Sequence, residues 1–131
     1  MSRRIVETAE VDIRPMPTER RREQIEQLLR EEISRVLVRD LEFPKGTMVT
    51  VTHIAMSRDG HYAHAYVTLL GTDPKGALAM LRKNIYHIQK TINRKMQIRP
   101  VPKISFKIDE EEYNRERVER SIAGLKRKGE L

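Results

Sequence analysis

Residues 48–70 read MVTVTHIAMSRDGHYAHAYVTLL and decide the fold, because they predict two adjacent strands joined by a tight turn. The apolar residues of the first run change parity midway: Val49 and Val51 are followed by Ile54 and Met56. A strand that buries one face must absorb this slip, so we expect a β-bulge near Thr52–His53. Asp59-Gly60 is a strong hairpin signal. The return strand, 61–70, then alternates cleanly, with Ala63, Ala65, Val67 and Leu69 facing the core.

Two amphipathic helices flank this hairpin. The first is capped by Thr18 and runs to about Asp40, with apolar residues at three- and four-residue steps. The second begins at Pro74, with Asp73 (or Thr72) as its cap. Its apolar line is Leu81, Ile85, Ile88 and Ile92.

A third strand follows Pro102, where Ile104, Phe106 and Ile108 alternate with Lys103, Ser105 and Lys107. A weak helix is expected from Glu111. The sequence therefore predicts an α+β domain with helices on one face of a three-stranded sheet. We divide the chain into a flexible arm (1–17), the folded domain (18–110) and a short helix with a frayed tail (111–131).

The positive charge of the chain lies in one window. Between Asp73 and Asp109 there are nine Lys and Arg residues and no Asp or Glu. The formal net charge is +7, so the rest of the chain sums to −2. A stretch of one sign on a folded scaffold attracts polyanions, and nucleic acid is the first candidate.

Four residues of this window lie along one face if the second helix is continuous. Lys83, His87, Lys90 and Arg94 stand at steps of four, three and four, opposite the apolar line. Ordinary surface helices intersperse Glu with Lys, whereas this helix has no Glu. The pattern favours polyanion binding over a merely solvated face.

Other chemistry finds little support in the sequence. There is no cysteine, and aromatic residues make up 5% of the chain, few for a surface that stacks bases. Ser57, Asp59 and His61 are expected as turn formers rather than as a catalytic triad. His61 and His64 are three apart on a strand and point to opposite faces, which disfavours a shared metal. We therefore expect no catalytic or metal site, no cofactor, no small-molecule substrate, no membrane segment and no export signal.

The ordered series of motifs resembles one known family. It comprises Val49–Thr52, Met56–Asp59, Ala63–Thr68, the helix Arg21–Val36, Arg99–Pro102 and Ile104–Asp109 followed by acidic residues. Together these cover roughly 18–125 and are similar to ribosome-binding factor A. The resemblance implies a type II KH-like fold and a non-enzymatic, cytoplasmic assembly factor of bacterial type. Such a factor binds the free small (30S) ribosomal subunit and assists late 16S rRNA maturation, including the 5′ end, notably in the cold.

The family replaces the nucleotide-clamping loop of KH domains with a kink, usually Ala-x-Gly. The matching residues here are Asn84, Ile85 and Tyr86. Without glycine, two outcomes are open: a kink kept at these residues, or a straighter helix. The predicted RNA-binding residues are Lys75, Arg82, Lys83, Asn84, His87, Lys90, Arg94, Lys95, Arg99 and Lys103.

Two other functions are open. One is a general KH-like protein that binds RNA or DNA without a dedicated ribosomal role. The other is an RNA-processing enzyme that uses His87 or His64 as a general acid or base, although no second positioned catalytic group is evident. Nothing in the sequence calls for a dimer, and we expect a monomer.

Overall fold

The computed structural model describes residues 17–71, 73–112 and 114–115. The elements follow one another as α1 (Glu19–Asp40), β1 (Met48–Met56), β2 (Tyr62–Leu70), α2 (Pro74–Lys83), α3 (Ile85–Lys95) and β3 (Lys103–Ile108). Residues 110–112 and 114–115 are also helical, where the weak helix was expected. The predicted arm, apart from Pro17, and the chain beyond 115 lie outside the described residues.

The three strands form one mixed sheet in the order β1-β2-β3. β1 pairs antiparallel with β2, and β2 pairs parallel with β3. The register of β1 shifts between Val51 and His53, which confirms the predicted bulge at Thr52. The extra residue lets Val51 and Ile54 both face the core although their parity differs.

The helices cover one face of this sheet. α1 packs on β1 and α3, α2 lies against β2 and β3, and α3 also reaches β3. The apolar sides of these elements meet in one core, and its large, fully buried side chains include Leu29, Ile33, Val67, Leu81, Ile88, Ile92 and Phe106. Removing this apolar surface from water is the main force that fixes the helices on the sheet. The result is the predicted α+β, type II KH-like fold.

The two predicted helix starts are made differently. The Thr18 hydroxyl accepts a hydrogen bond from the Arg21 backbone N–H at 3.1 Å, as an N-cap residue does. Asp73 occupies the N-cap position of α2, and Pro74 is the first helical residue, but the Asp73 carboxylate makes no capping bond. The predicted position of this cap is therefore right, whereas a side-chain capping bond from Asp73 is absent.

Two polar side chains join helices to strand ends. The Glu26 carboxylate on α1 accepts the Met56 N–H at the end of β1, at 2.7 Å. Gln89 on α3 accepts the Ile104 N–H at 2.8 Å and donates to the Pro102 carbonyl at 3.0 Å. These bonds satisfy backbone groups that strand pairing leaves open, and they hold α3 beside the start of β3.

None of the helices in the described ranges is long and apolar enough to cross a membrane.

Candidate nucleic-acid interface

The junction of α2 and α3 is a kink at Asn84. Its backbone has φ −98° and ψ 11°, and its side-chain Nδ2 donates to the Met80 carbonyl at 2.8 Å. An asparagine side chain that bonds to nearby backbone competes with regular helix, and these dihedral angles have a negative φ that does not require glycine. The kink therefore forms without glycine. The alternative of one straight helix is wrong.

The kink also corrects the predicted single stripe of cations. Lys83 is the last residue of α2, whereas Lys90 and Arg94 belong to α3. Because Asn84 leaves the helical conformation, the angular phase counted from Lys83 does not carry over to α3. Two helices, each with its own cationic side, replace the one continuous stripe.

Six cations of these two helices form what we call the basic surface: Lys75, Arg82 and Lys83 on α2, and Lys90, Arg94 and Lys95 on α3. All six side chains are exposed. Within the described part of the chain, no carboxylate forms an ion pair with any of them. Four of the six lie in the last turns of α2 and α3, where the helix dipole favours positive charge.

Tyr86, predicted only as a residue of the kink, adds an aromatic group to these two helices. It lies in the first turn of α3, between Lys83 and Lys90 in sequence, and its side chain is 79% exposed. Ile85 beside it is half-buried against the core. An aromatic residue on the polar side of a basic helix was the available signal for a base-stacking group.

His87 has a different role from the cations around it. Its Nε2 lies 2.9 Å from a carboxylate oxygen of Asp40, at the end of α1. Asp40 also accepts a hydrogen bond from Arg39, and this bond, followed by the bond to His87, lowers the pKa of the Asp40 carboxyl. The predicted RNA-binding residue His87 is thus engaged in joining α3 to α1.

The last two predicted cations lie outside α2 and α3. The Arg99 guanidinium donates to the carbonyls of Met96 and Ile98, at 3.1 and 2.6 Å, within the loop after α3. Lys103 is exposed at the start of β3, next to the buried Ile104. Since alternate residues of a strand point to opposite faces, Lys103 projects from the side of the sheet that the helices leave open.

The hairpin turn holds the Ser-Asp-His set in the predicted structural role. The Asp59 carboxylate accepts the Ser57 hydroxyl at 2.7 Å and the His61 backbone N–H at 3.0 Å. These two bonds lower the pKa of the Asp59 carboxyl. The described ranges contain no group of three side chains placed to hold a metal ion.

Comparison with known proteins points to one family. A family model described as ribosome-binding factor A matches residues 21–122 of the chain. Ribosome-binding factor A of Macrococcus caseolyticus is 36% identical over 109 residues, which cover 82% of this chain and 96% of the relative. The protein of the same name from Dictyoglomus thermophilum is 32% identical over 108 residues, 80% of this chain and 90% of the relative.

Solved structures agree with this match. The crystal structure of ribosome-binding factor A from Thermus thermophilus superposes with a TM-score of 0.60 at 23% identity, covering 66% of this chain and 93% of that one. The solution structure of a Thermotoga maritima protein described as a putative ribosome-binding factor A gives a TM-score of 0.58 at 25% identity. The match covers 71% of this chain and 91% of that one. A homology model of ribosome-binding factor A from Thermus thermophilus, fitted into a cryo-EM map of its 30S complex, gives a TM-score of 0.50 at 27% identity, covering 65% of this chain and 87% of that one.

Proposed function

Because the chain belongs to the ribosome-binding factor A family, we propose that it is a non-enzymatic assembly factor that binds the free 30S ribosomal subunit. The observation that carries the proposal is the basic surface, six exposed cations without a paired carboxylate among the described residues. A homologue described as part of a 30S complex supports the same partner.

Binding through the basic surface is electrostatic and depends on shape. Lys and Arg side chains of α2 and α3 neutralise rRNA phosphates and release the counterions condensed on them. The buried Leu81, Ile88 and Ile92 hold both helices firmly on the sheet, so the cations keep a fixed spacing. Tyr86 supplies one exposed ring that can stack on an unpaired base beside these phosphate contacts.

The finer part of the proposal concerns rRNA maturation. A rigid set of cations lowers the repulsion between rRNA segments that must come together, and so favours the folded arrangement over competing ones. We infer that this assists late 16S rRNA maturation in the cytoplasm, including formation of the 5′ end. The need is greatest in the cold, where competing RNA pairings rearrange slowly.

Co-sedimentation across a salt series tests the partner. The full chain is mixed with purified 30S subunits, 50S subunits and a stem-loop RNA, and the pelleted fraction is measured at each salt concentration. We expect selective retention by 30S subunits at moderate salt. Equal, salt-sensitive binding to both subunits and to the stem-loop RNA would contradict the proposal and favour a general KH-like RNA binder.

Primer extension on 16S rRNA tests the maturation step. Bacteria that lack their own family member are grown in the cold with and without the present chain. We expect the chain to reduce the fraction of 16S rRNA with an unprocessed 5′ end. Purified chain incubated with labelled precursor RNA should leave it uncut, whereas cleavage that a His87→Ala or His64→Ala substitution abolishes would make the protein an enzyme.

A further inference from the structure

The face of the sheet opposite the helices carries a second set of aromatic and cationic side chains. On β2 these are Tyr62, His64 and Tyr66, which alternate with the buried Ala63 and Ala65. On β3 they are Lys103, Ser105 and Lys107, and His53 follows the bulge on β1. Because of this alternation, all seven side chains belong to the same side of the sheet. We call this set the open sheet face.

Strand pairing places tyrosines directly beside lysines on the open sheet face. Tyr62 pairs with Lys103 and Tyr66 pairs with Lys107 in the parallel ladder between β2 and β3. Neighbouring strands lie about 4.8 Å apart, and residues four apart on a strand are separated by about 13 Å. The same unit, one aromatic ring with one ammonium group, is therefore repeated twice along the sheet.

The rings of the open sheet face are held in position. The rings of His53 and Tyr66 are stacked, with centroids 4.4 Å apart and planes 10° from parallel. His64 meets Tyr66 edge-on with centroids 6.4 Å apart, and its Nδ1 lies 2.7 Å from the Ser105 hydroxyl. His53 Nδ1 also lies 3.4 Å from an Asp109 oxygen. A stack that is already ordered loses less entropy when one more ring joins it.

The carboxylate of Asp109, the residue that follows β3, is already engaged by its neighbours. Asp109 accepts the Thr52 hydroxyl at 2.6 Å and the Glu112 backbone N–H at 3.0 Å, besides facing His53. Its oxygens point towards β1 and the helical turn after β3, whereas Lys103 and Lys107 are exposed. The tyrosine–lysine pairs therefore keep their positive charge for a ligand.

We propose that the open sheet face binds a short unpaired segment of RNA. Bases stack on Tyr62 and on the side of Tyr66 that faces away from His53, and the flanking phosphates contact Lys103 and Lys107. Tyr62 is 58% exposed, so its ring is accessible to a base. A duplex keeps its bases stacked on one another and offers no free base face, so this site selects single strands. The inference extends the proposed function: the basic surface contacts folded rRNA, and the open sheet face contacts unpaired nucleotides of the same RNA class.

Fluorescence anisotropy with a labelled, unstructured ten-nucleotide RNA and the same RNA in duplex form tests the site. Wild-type chain should bind the single strand more tightly than the duplex. Replacing both Tyr62 and Tyr66 by Ala should weaken single-strand binding by about 10-fold or more, since each stacked base contributes about 5- to 100-fold. The paired substitution of both residues by Phe should retain binding, because phenylalanine keeps the ring. Lys103→Glu with Lys107→Glu should also weaken binding.

Two further measurements separate the possible outcomes. Tyr62→Ala alone, at an exposed position, should lower single-strand affinity and leave the thermal midpoint unchanged, which excludes misfolding as the cause. Pelleting with 30S subunits is measured in parallel. A variant that loses subunit binding is thereby distinguished from one that loses only single-strand binding. Unchanged single-strand affinity in the Ala variants would overturn the inference. Unchanged affinity with lost subunit binding would assign the face to a ribosomal protein instead.

Discussion

Gly71 shows how one residue fixes the connection between the sheet and the helical layer. It has φ +79°, a conformation that L side chains rarely adopt. A Cβ atom added there would lie 2.1 Å from the Gly46 carbonyl oxygen, and backbone cannot easily move away. Gly46 itself has φ +87°, but a Cβ there would meet nothing within 4 Å.

These two glycines make a matched pair for a stability test. Gly46→Ala should lower the free energy of unfolding by about 1 kcal/mol, because the left-handed backbone conformation is the only source of strain there. Gly71→Ala should lower it by at least about 2 kcal/mol more than Gly46→Ala does, because the backbone strain is joined by a clash with the Gly46 backbone. Urea denaturation of both variants measures the difference. Equal losses would show that the close approach of Gly71 to Gly46 does not limit the fold.

Asp109 gives the fold a dependence on pH at the residue scale. Burial raises the pKa of its carboxyl, but the hydrogen bonds from the Thr52 hydroxyl and the Glu112 N–H outweigh burial, so the pKa is lowered overall. A carboxyl whose pKa is lower in the folded state stabilises the fold above its unfolded pKa of about 4. That stabilisation is lost as the pH falls through the lower, folded pKa.

The substitution Asp109→Asn tests this dependence with little change of shape. We expect the variant to be less stable than wild type at pH 7, and the difference to disappear as the pH falls through the lowered pKa of the folded carboxyl. Denaturant unfolding at a series of pH values gives the comparison. Thr52→Val, which removes the donor but no charge, should lose part of the same stability at pH 7. A difference between wild type and Asp109→Asn that stays constant with pH would contradict this account.

At the scale of elements, sequence pattern was informative where periodicity settles the structure. The parity change between Val51 and Ile54 predicted the bulge, because a strand with one buried face has no other way to absorb it. Periodicity does not decide whether the chain kinks at Asn84. Leu81 and Ile88 would share a face in a straight helix as well, so the apolar period does not distinguish the two forms. The hydrogen bond from Asn84 to the Met80 carbonyl depends on the rotamer of the Asn84 side chain, which the sequence alone does not specify.

Substitution of Asn84 tests whether the kink serves binding. Asn84→Ala removes the bond to the Met80 carbonyl and favours continuous helix by about 0.6 kcal/mol. We expect a stronger far-ultraviolet helix signal and affinity for 30S subunits reduced about threefold or more. Asn84→Gly should retain binding, because glycine adopts the kinked dihedral angles readily.

Asn93→Ala is the control for this comparison. Asn93 is exposed on α3, and its replacement by Ala removes the same side-chain amide at a position outside the kink. Its affinity for 30S subunits should equal that of wild type. If Asn84→Ala also binds as wild type does, the kink has no part in recognition.

At the scale of the whole molecule, the fold places positive charge on both sides of one sheet. The sequence located the basic window but did not divide its cations between two surfaces. In the folded chain Lys90 and Arg94 lie in the helical layer, whereas Lys103 lies on the open sheet face. The alternation of side chains along β3 is enough to predict that Lys103 faces away from the helices. The register that brings Lys103 beside Tyr62 arises only when β3 pairs in parallel with β2, a contact between segments about forty residues apart.

The family was predicted from the sequence, whereas the partners of individual side chains within the fold were not. Several predicted residues have structural partners that no spacing rule reveals, such as Asp40 for His87 and the loop carbonyls for Arg99. Tyr86 was overlooked as a binding residue because its place in the kink motif already explained it. Hydrogen-bond partners in the folded chain, rather than residue type or exposure, separate these engaged side chains from the unpaired cations of the basic surface.

The most direct test of the central claim is charge reversal of the basic surface, read by co-sedimentation with 30S subunits. The variant carries Lys83→Glu, Lys90→Glu and Arg94→Glu. The control carries Arg30→Glu, Lys45→Glu and Arg58→Glu, three exposed cations outside the basic window that give the same change in net charge.

The basic-surface variant should fold as wild type does, lose 30S binding at moderate salt, and reduce the slope of log affinity against log salt by about two to three. The control should keep most of its binding and nearly the full slope. Retained binding by the basic-surface variant, or equal loss in both variants, would contradict the claim that α2 and α3 form the rRNA contact.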